Sequence, residues 1–159
     1  GTADTLTLAA GANTLSATGI ESIVGSGSDD ALTLSNAQSN ATVDLGAGTD
    51  TLNLAAGGNT VTVRNVESVV GGSGLDIVTL AAAGAIAASG IESLIGSAGT
   101  DTLTLGAGGN TVTISGVESV IGGAGTDILT LGAAGAVAIT GVESVTGSST
   151  DSITFGPCH

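Results

Sequence analysis

The sequence predicts an all-β fold, a right-handed parallel β-helix of about six coils, and three observations carry that prediction. An Asp recurs along the chain at Asp4, Asp30, Asp50, Asp76, Asp101, Asp127 and Asp151, with a period of about 25 residues that shortens only between Asp30 and Asp50. Most of these Asp residues open the same alternating tract, as in Asp101-Thr-Leu-Thr-Leu105. The composition holds 28 Gly, one Pro and one Phe, with no Trp, Tyr or Met, so the large side chains that usually fill a globular core are missing. Thin repeated layers of Leu, Val, Ile and Ala must take their place. Repetition at this period marks a solenoid, in which each repeat buries its apolar face only against its neighbours.

Each repeat reads as three segments. In the first, positions two and four after the Asp are apolar: Leu32 and Leu34, Leu52 and Leu54, Val78 and Leu80, Leu103 and Leu105, Leu129 and Leu131. That period of two defines a strand with one buried face, and Thr fills many of the outward positions. The second follows a Gly-rich turn and reads Asn59-Thr-Val-Thr-Val63 and Asn110-Thr-Val-Thr-Ile114, with Ala-Ile-Ala-Ala and Ala-Val-Ala-Ile in the alternate repeats. A longer superperiod results, from Asp50 to Asp101 and from Asp76 to Asp127. The third is Val117-Glu-Ser-Val-Ile121, with counterparts beginning at Ile20, Val66, Ile91 and Val142. Its aliphatic positions are three apart, which implies a bend that resets the facing and places the Glu outside, near a corner.

The interval from Asp30 to Asp50 lacks the third segment, so one short two-sided coil is expected in an otherwise three-sided stack. Strands that recur once per coil in one direction pair in parallel, with right-handed connections. Six such coils make a rod of about 29 Å, with open strand edges at its ends. The whole of residues 1–159 reads as one repeat domain excerpted from a longer protein, and residues 156–159, with Cys158 and His159, read equally as native sequence or as a cloning remnant.

Charge excludes several functions. The formal net charge is −13, Arg64 is the sole Lys or Arg, and no run of aromatics offers bases a stacking surface, so a polyphosphate backbone would be repelled. No stretch reaches the roughly 20 apolar residues of a membrane span. With no internal His or Lys to activate a Ser, and carboxylates repeated like a lattice, catalysis finds no support. Stacking the Asp residues once per coil would set like charges about 4.8 Å apart, a repulsion of about 3.5 kcal/mol at an effective dielectric near 20. Hard divalent cations held by carboxylate and carbonyl oxygens would relieve it, and Ca²⁺ accepts six to eight such ligands. A metal-free alternative has glycines shaping the corner while each Asp caps its own turn.

The stretches Gly71-Gly-Ser-Gly-Leu-Asp-Ile-Val-Thr79 and Gly122-Gly-Ala-Gly-Thr-Asp-Ile-Leu-Thr130 resemble the GGxGxDxUx nonapeptide of the RTX (repeats-in-toxin, haemolysin-type calcium-binding) family at every fixed position. Gly96-Ser-Ala-Gly-Thr-Asp101 departs at one Gly, the loop before Asp50 has Leu45 in place of its first Gly, and the loop before Asp30 departs at two. The resemblance implies Ca²⁺ between successive loops, bound by Asp carboxylates and loop carbonyls. Carried over, the ligands are Asp76, Asp101 and Asp127, then Asp30 and Asp50, with the loop glycines Gly72, Gly74, Gly99, Gly123, Gly125, Gly46 and Gly48. One nonapeptide per coil, in place of the family's tandem pairs, leaves at most one edge to carry metal.

The expected function is a non-catalytic, calcium-stabilised module of a secreted bacterial surface protein: an adhesin stalk, a spacer or a surface-layer element. The resemblance implies type I export, with folding delayed until extracellular calcium is met. Expected partners are an unidentified surface or glycan ligand and further copies joined end to end through open coil edges, with neither nucleic acid nor membrane insertion. Two alternatives belong to other classes. Outward T-x-T pairs resemble ice-binding solenoids, although Thr5, Thr51 and Thr102 alternate with Ala31, Ile77 and Ile128. A repeat domain appended to a secreted enzyme is the other.

Overall fold

Two nine-stranded parallel sheets make up the computed structural model, which describes residues 4–156. Cys158 and His159, on which the reading of the tail depends, lie outside the described residues. The first sheet holds the odd-numbered strands: β1 (Thr5–Thr7), β3 (Ser22–Ser26), β5 (Ser39–Gly46), β7 (Thr60–Arg64), β9 (Ile77–Leu80), β11 (Ser93–Ile95), β13 (Thr111–Ser115), β15 (Ile128–Leu131) and β17 (Ser144–Thr146). The even-numbered strands form the second: β2 (Thr14–Ala17), β4 (Ala31–Leu34), β6 (Thr51–Asn53), β8 (Ser68–Val70), β10 (Ala85–Ser89), β12 (Thr102–Leu105), β14 (Ser119–Ile121), β16 (Ala136–Thr140) and β18 (Ser152–Phe155). Each strand pairs with the strand two before it and two after it, so the chain winds from one sheet to the other and back once per coil.

The parallel β-solenoid expected from the sequence is present, but its coil is not the Asp-to-Asp repeat. There are nine coils of two strands where six coils of three were expected. Register fixes the coil: Thr5 pairs with Ser22, Thr14 with Ala31, Thr60 with Ile77 and Thr111 with Ile128. The corner hydrogen bonds from Asn59 to Asp76 and from Asn110 to Asp127 join adjacent coils across the same sequence separation of 17. The typical Asp-to-Asp repeat carries three strands and is therefore one and a half coils, and the superperiod from Asp76 to Asp127 is three. At about 4.8 Å per coil the stack is about 43 Å long, not about 29 Å. The short interval from Asp30 to Asp50 is likewise not a lone two-sided coil among three-sided ones. It is one coil, registered Ala31 to Thr51, in a stack that is two-sided throughout.

The inward residues interleave between the sheets. Leu32, Val43, Leu52, Val61, Val78, Leu94, Leu103 and Leu129 are all fully buried, and they alternate with outward residues that are mostly Thr but include Ile77, Ile95 and Ile128, as a period of two requires. Burying such a side chain contributes about 1.5–3 kcal/mol, and every coil adds several. The longest strand, β5, is eight residues and carries a bulge between Ser39 and Ala41, where Asn40 takes a positive φ of 64°. That irregularity helps absorb the longer step from Asp30 to Asp50.

The outward faces differ from the stacking expected for Thr. Thr51 lies between Ala31 and Ser68, whereas Ile77, expected in the same column, lies in the other sheet against Thr60. One first-sheet column runs Thr42, Thr62, Thr79, Ile95, Ser115, and one second-sheet column runs Thr14, Ala31, Thr51, Ser68. Neither is continuous in Thr. Asp44 and Arg64, on adjacent strands, approach to 3.9 Å at exposed positions where an ion pair contributes little. Nearly all other acidic residues sit in the corners between the sheets.

Candidate metal centre

Two rows of corners result, one leading into the odd-numbered strands and one into the even-numbered. A repeat of one and a half coils sends successive Asp residues to opposite rows. Asp4, Asp76 and Asp127 precede first-sheet strands, whereas Asp30, Asp50, Asp101 and Asp151 precede second-sheet strands. The single Asp column confined to one edge, expected from one loop per coil, is therefore absent. Each row instead steps through three corner types as the coils rise. In the first row, Asn59, Asp76 and Glu92 follow one another, then Asn110, Asp127 and Glu143.

Hydrogen bonds pass upward through each series. The Asn59 backbone N–H donates to Asp76 Oδ1 at 2.9 Å, and the Asp76 N–H donates to Glu92 Oε2 at 2.8 Å. Asn110, Asp127 and Glu143 repeat the arrangement at 2.9 and 2.7 Å. In the second row, Gly84 N–H donates to Asp101 Oδ1 at 2.9 Å and Asp101 N–H to Glu118 Oε2 at 2.8 Å. Corner N–H groups cannot join a strand ladder, and an unpaired buried one costs about 1–3 kcal/mol. A carboxylate from the next coil satisfies each of them. The Glu residues lie near corners as expected, and what sequence reasoning missed is that their carboxylates cap the neighbouring Asp.

Asp76, Asp101 and Asp127, which head the ligand set implied by resemblance, are fully buried, and hydrogen bonds engage both oxygens of each. Their Oδ2 atoms accept N–H groups four residues earlier: Gly72 at 2.9 Å, Ser97 at 2.6 Å and Gly123 at 2.9 Å. Gly74 and Gly125 take φ of 117° and 110°, which side chains rarely adopt, and Gly99 N–H donates to Ser97 Oγ. The first glycine of the motif is fixed by stacking. A Cβ on Gly71, Gly96 or Gly122 would lie 1.6–1.7 Å from the carbonyl oxygen of Gly90, Gly116 or Gly141 in the next coil.

Asp30 is closed like Asp76, with Asn13 N–H and Nδ2 on Oδ1 and Ser26 N–H and Oγ–H on Oδ2, but Asp30 and Asp50 stand apart as a pair. The step between them is one coil, so both face the same row in adjacent layers, and Asp30 N–H donates to Asp50 Oδ1 at 2.7 Å. Asp50 N–H donates in turn to Glu67 Oε2, giving three acidic layers in succession, with the exposed Asp29 alongside and its Oδ1 accepting Thr49 N–H at 2.8 Å. Asp50 is fully buried, and its Oδ2 has no hydrogen-bond partner. Gly46 N–H, which by position would fill that role, turns to Asp44 Oδ1 at 3.3 Å, and Gly46 and Gly48 both take positive φ.

Electrostatics follow the geometry. Burial pushes the Asp50 carboxyl above its usual range, and the Glu67, Asp30 and Asp29 carboxylates push the same way against the opposing Asp30 N–H. For Asp30 burial also pushes upward, but hydrogen bonds from Asn13 and Ser26 outweigh it and the net shift is downward. A buried carboxylate oxygen without a donor, close enough to the Glu67, Asp30 and Asp29 carboxylates to feel their charge, suits a hard cation. Among the described residues no three acidic, His or Cys side chains converge on one point, so such an ion takes loop carbonyls into its shell.

Four copies of the RTX calcium-binding nonapeptide repeat match the chain, over residues 42–61, 86–113 and 114–134. Those segments are similar to RTX calcium-binding repeats. Ca²⁺ is the cofactor they indicate, and the matched segments contain the corners of Asp50, Asp101 and Asp127. Comparison with curated proteins and with solved structures gave no match. The segments similar to RTX repeats fit a calcium-binding repeat module, and they lie in a β-solenoid with nonapeptide corners on both edges.

Proposed function

We propose that the chain is a non-catalytic spacer, adhesin stalk or surface-layer element of a secreted bacterial protein, stabilised by Ca²⁺ between the Asp30 and Asp50 corners. The buried, partnerless Asp50 Oδ2 within three successive acidic layers is the observation that carries the ion's placement. Ca²⁺ bound there supplies positive charge that offsets the repulsion of this run. Asp50 offers its free oxygen, Asp30 and the exposed Asp29 bring further carboxylate charge, and the turns of residues 26–29 and 46–49 offer carbonyls.

RTX repeat proteins are typically secreted, which supports an extracellular setting, and a stiff rod with neutral faces suits a spacer. Among the described residues no helix is long and apolar enough to cross a membrane. Thermal unfolding in EDTA and in millimolar Ca²⁺ tests the proposal. The ion is expected to raise Tm by about 5–10 °C, the gain for a ligand near 100 times its Kd. An unchanged Tm would remove the calcium role.

A further inference from the structure

The corners that best fit the nonapeptide are closed by the chain's own side chains. Asn59 Nδ2 lies 2.9 Å from Ala55 O, 2.8 Å from Gly57 O and 2.7 Å from Asp76 Oδ1. Three coils higher, Asn110 Nδ2 lies 3.0 Å from Gly106 O, 2.8 Å from Gly108 O and 2.8 Å from Asp127 Oδ1. Asn13 repeats the set with Ala9 O, Gly11 O and Asp30 Oδ1 at 2.9, 2.6 and 2.7 Å. In every case one nitrogen joins two loop carbonyls of its own coil to a carboxylate of the next. A hard cation between coils would be held by oxygens of the same kinds, at about 2.3–2.6 Å.

We infer that the amide nitrogens of Asn59 and Asn110 take the place of a bridging cation, so that the Asp76 and Asp127 corners stand without metal and Ca²⁺ is confined to the Asp30–Asp50 pair. The inference rests on the calcium reading of that pair. The remaining acceptors of both corners are already engaged, since Gly72 and Gly123 N–H fill Oδ2 and Asn59 and Asn110 N–H fill Oδ1. The glycines of the motif are required there by the stacked Gly90 and Gly141 carbonyls and by positive φ, so their presence follows from packing alone. Asp101 has no amide bridge, but both its oxygens are engaged. Its partner below is Gly84, which offers a backbone N–H and no side chain, while Ser97 supplies both N–H and Oγ–H to its Oδ2.

The substitution Asn110→Asp tests this directly. It replaces the amide donor with a carboxylate oxygen facing two carbonyls and Asp127, a set that repels itself until a cation enters. Calcium titration of the whole chain by calorimetry is expected to find one ion in the parent protein and one more in N110D. The Tm of N110D in EDTA should fall by about 5 °C or more below the parent's, and added Ca²⁺ should restore it. N110A, which loses the amide and adds no ligand, should be destabilised equally with and without Ca²⁺. If N110D unfolds in EDTA, recovery of the β-sheet circular dichroism signal on adding Ca²⁺ supports the inference equally.

Equal stoichiometry in N110D and parent, or two or more ions in the parent, would overturn the inference. A parent that binds none while N110D binds one would sink the Asp30–Asp50 reading and leave the Asn role standing.

Discussion

Asp127→Ala is expected to destabilise the solenoid by about 3–5 kcal/mol and to lower Tm by about 10 °C, with or without calcium. Removing the carboxylate strands two donors at once, Asn110 N–H and Gly123 N–H, and takes one of three acceptors from Asn110 Nδ2, which keeps Gly106 O and Gly108 O. Each unpaired buried donor costs about 1–3 kcal/mol, and their shared location makes the sum less than additive. Asp127→Asn is the sharper probe, because it keeps the volume but turns one acceptor into a donor facing Asn110 or Gly123. It should recover little of the loss. Glu143→Ala, at an exposed corner, removes a single acceptor from Asp127 N–H and should cost only about 1 kcal/mol. Urea unfolding of the three variants measures the ranking.

Asp50→Asn should have the opposite sign in the absence of metal. The Asn carbonyl can still accept Asp30 N–H, while the buried charge pressed by Glu67, Asp30 and Asp29 disappears. In EDTA the variant is expected to be at least as stable as the parent, and the calcium-induced rise in Tm should be lost.

The pH dependence has a defined direction. Because the folded Asp50 carboxyl is raised, the folded chain holds this proton over a range where the unfolded chain has released it. Its contribution to stability therefore declines as pH rises from the ordinary carboxylate value through the folded one. Asp30, shifted downward, contributes stability above its ordinary value and loses it as pH falls through the lowered one. In EDTA, the advantage of D50N over the parent should widen as pH rises through the Asp50 window. Thermal melts from about pH 3 to about pH 7 check this, since that span brackets the carboxylates.

The strands are legible in the sequence because their cause is local. Alternation at Leu103 and Leu105 or Val112 and Ile114 reports the buried face whatever the larger winding. Coil length is a non-local quantity, set by which strands share a register, and nothing at Asp76 or Asp101 shows whether the next Asp lies above it or across from it. The most conspicuous period, from one Asp to the next, therefore suggests the wrong coil, since Ile77 in fact stacks on Thr60. Two intervals hold the clue. The superperiod from Asp76 to Asp127 divides into three equal coils, and the separation of 20 between Asp30 and Asp50 is close to a single coil step of 17.

The same confusion hides the site. Asp30 and Asp50 are among the ligands the motif suggests, but what distinguishes them is adjacency in one row, which follows only from the correct coil. Motif fidelity points to the Asp76 and Asp127 loops, whose glycines also answer to the stacking of Gly71 on Gly90 and Gly122 on Gly141. Asn59 and Asn110 look in sequence like the start of a strand. Their position two residues after Gly57 and Gly108, which turn the loop carbonyls back toward the side chain, is the available signal.

The central claim is that acidic layers in direct succession hold the ion, while corners separated by Asn are closed by the chain itself. Anomalous X-ray scattering from crystals soaked in terbium, a calcium mimic, tests it most directly. One strong peak is expected within coordination distance of Asp50 Oδ2, and none between Asn59 and Asp76 or between Asn110 and Asp127. Peaks at those Asn corners, or none beside Asp50, would contradict it.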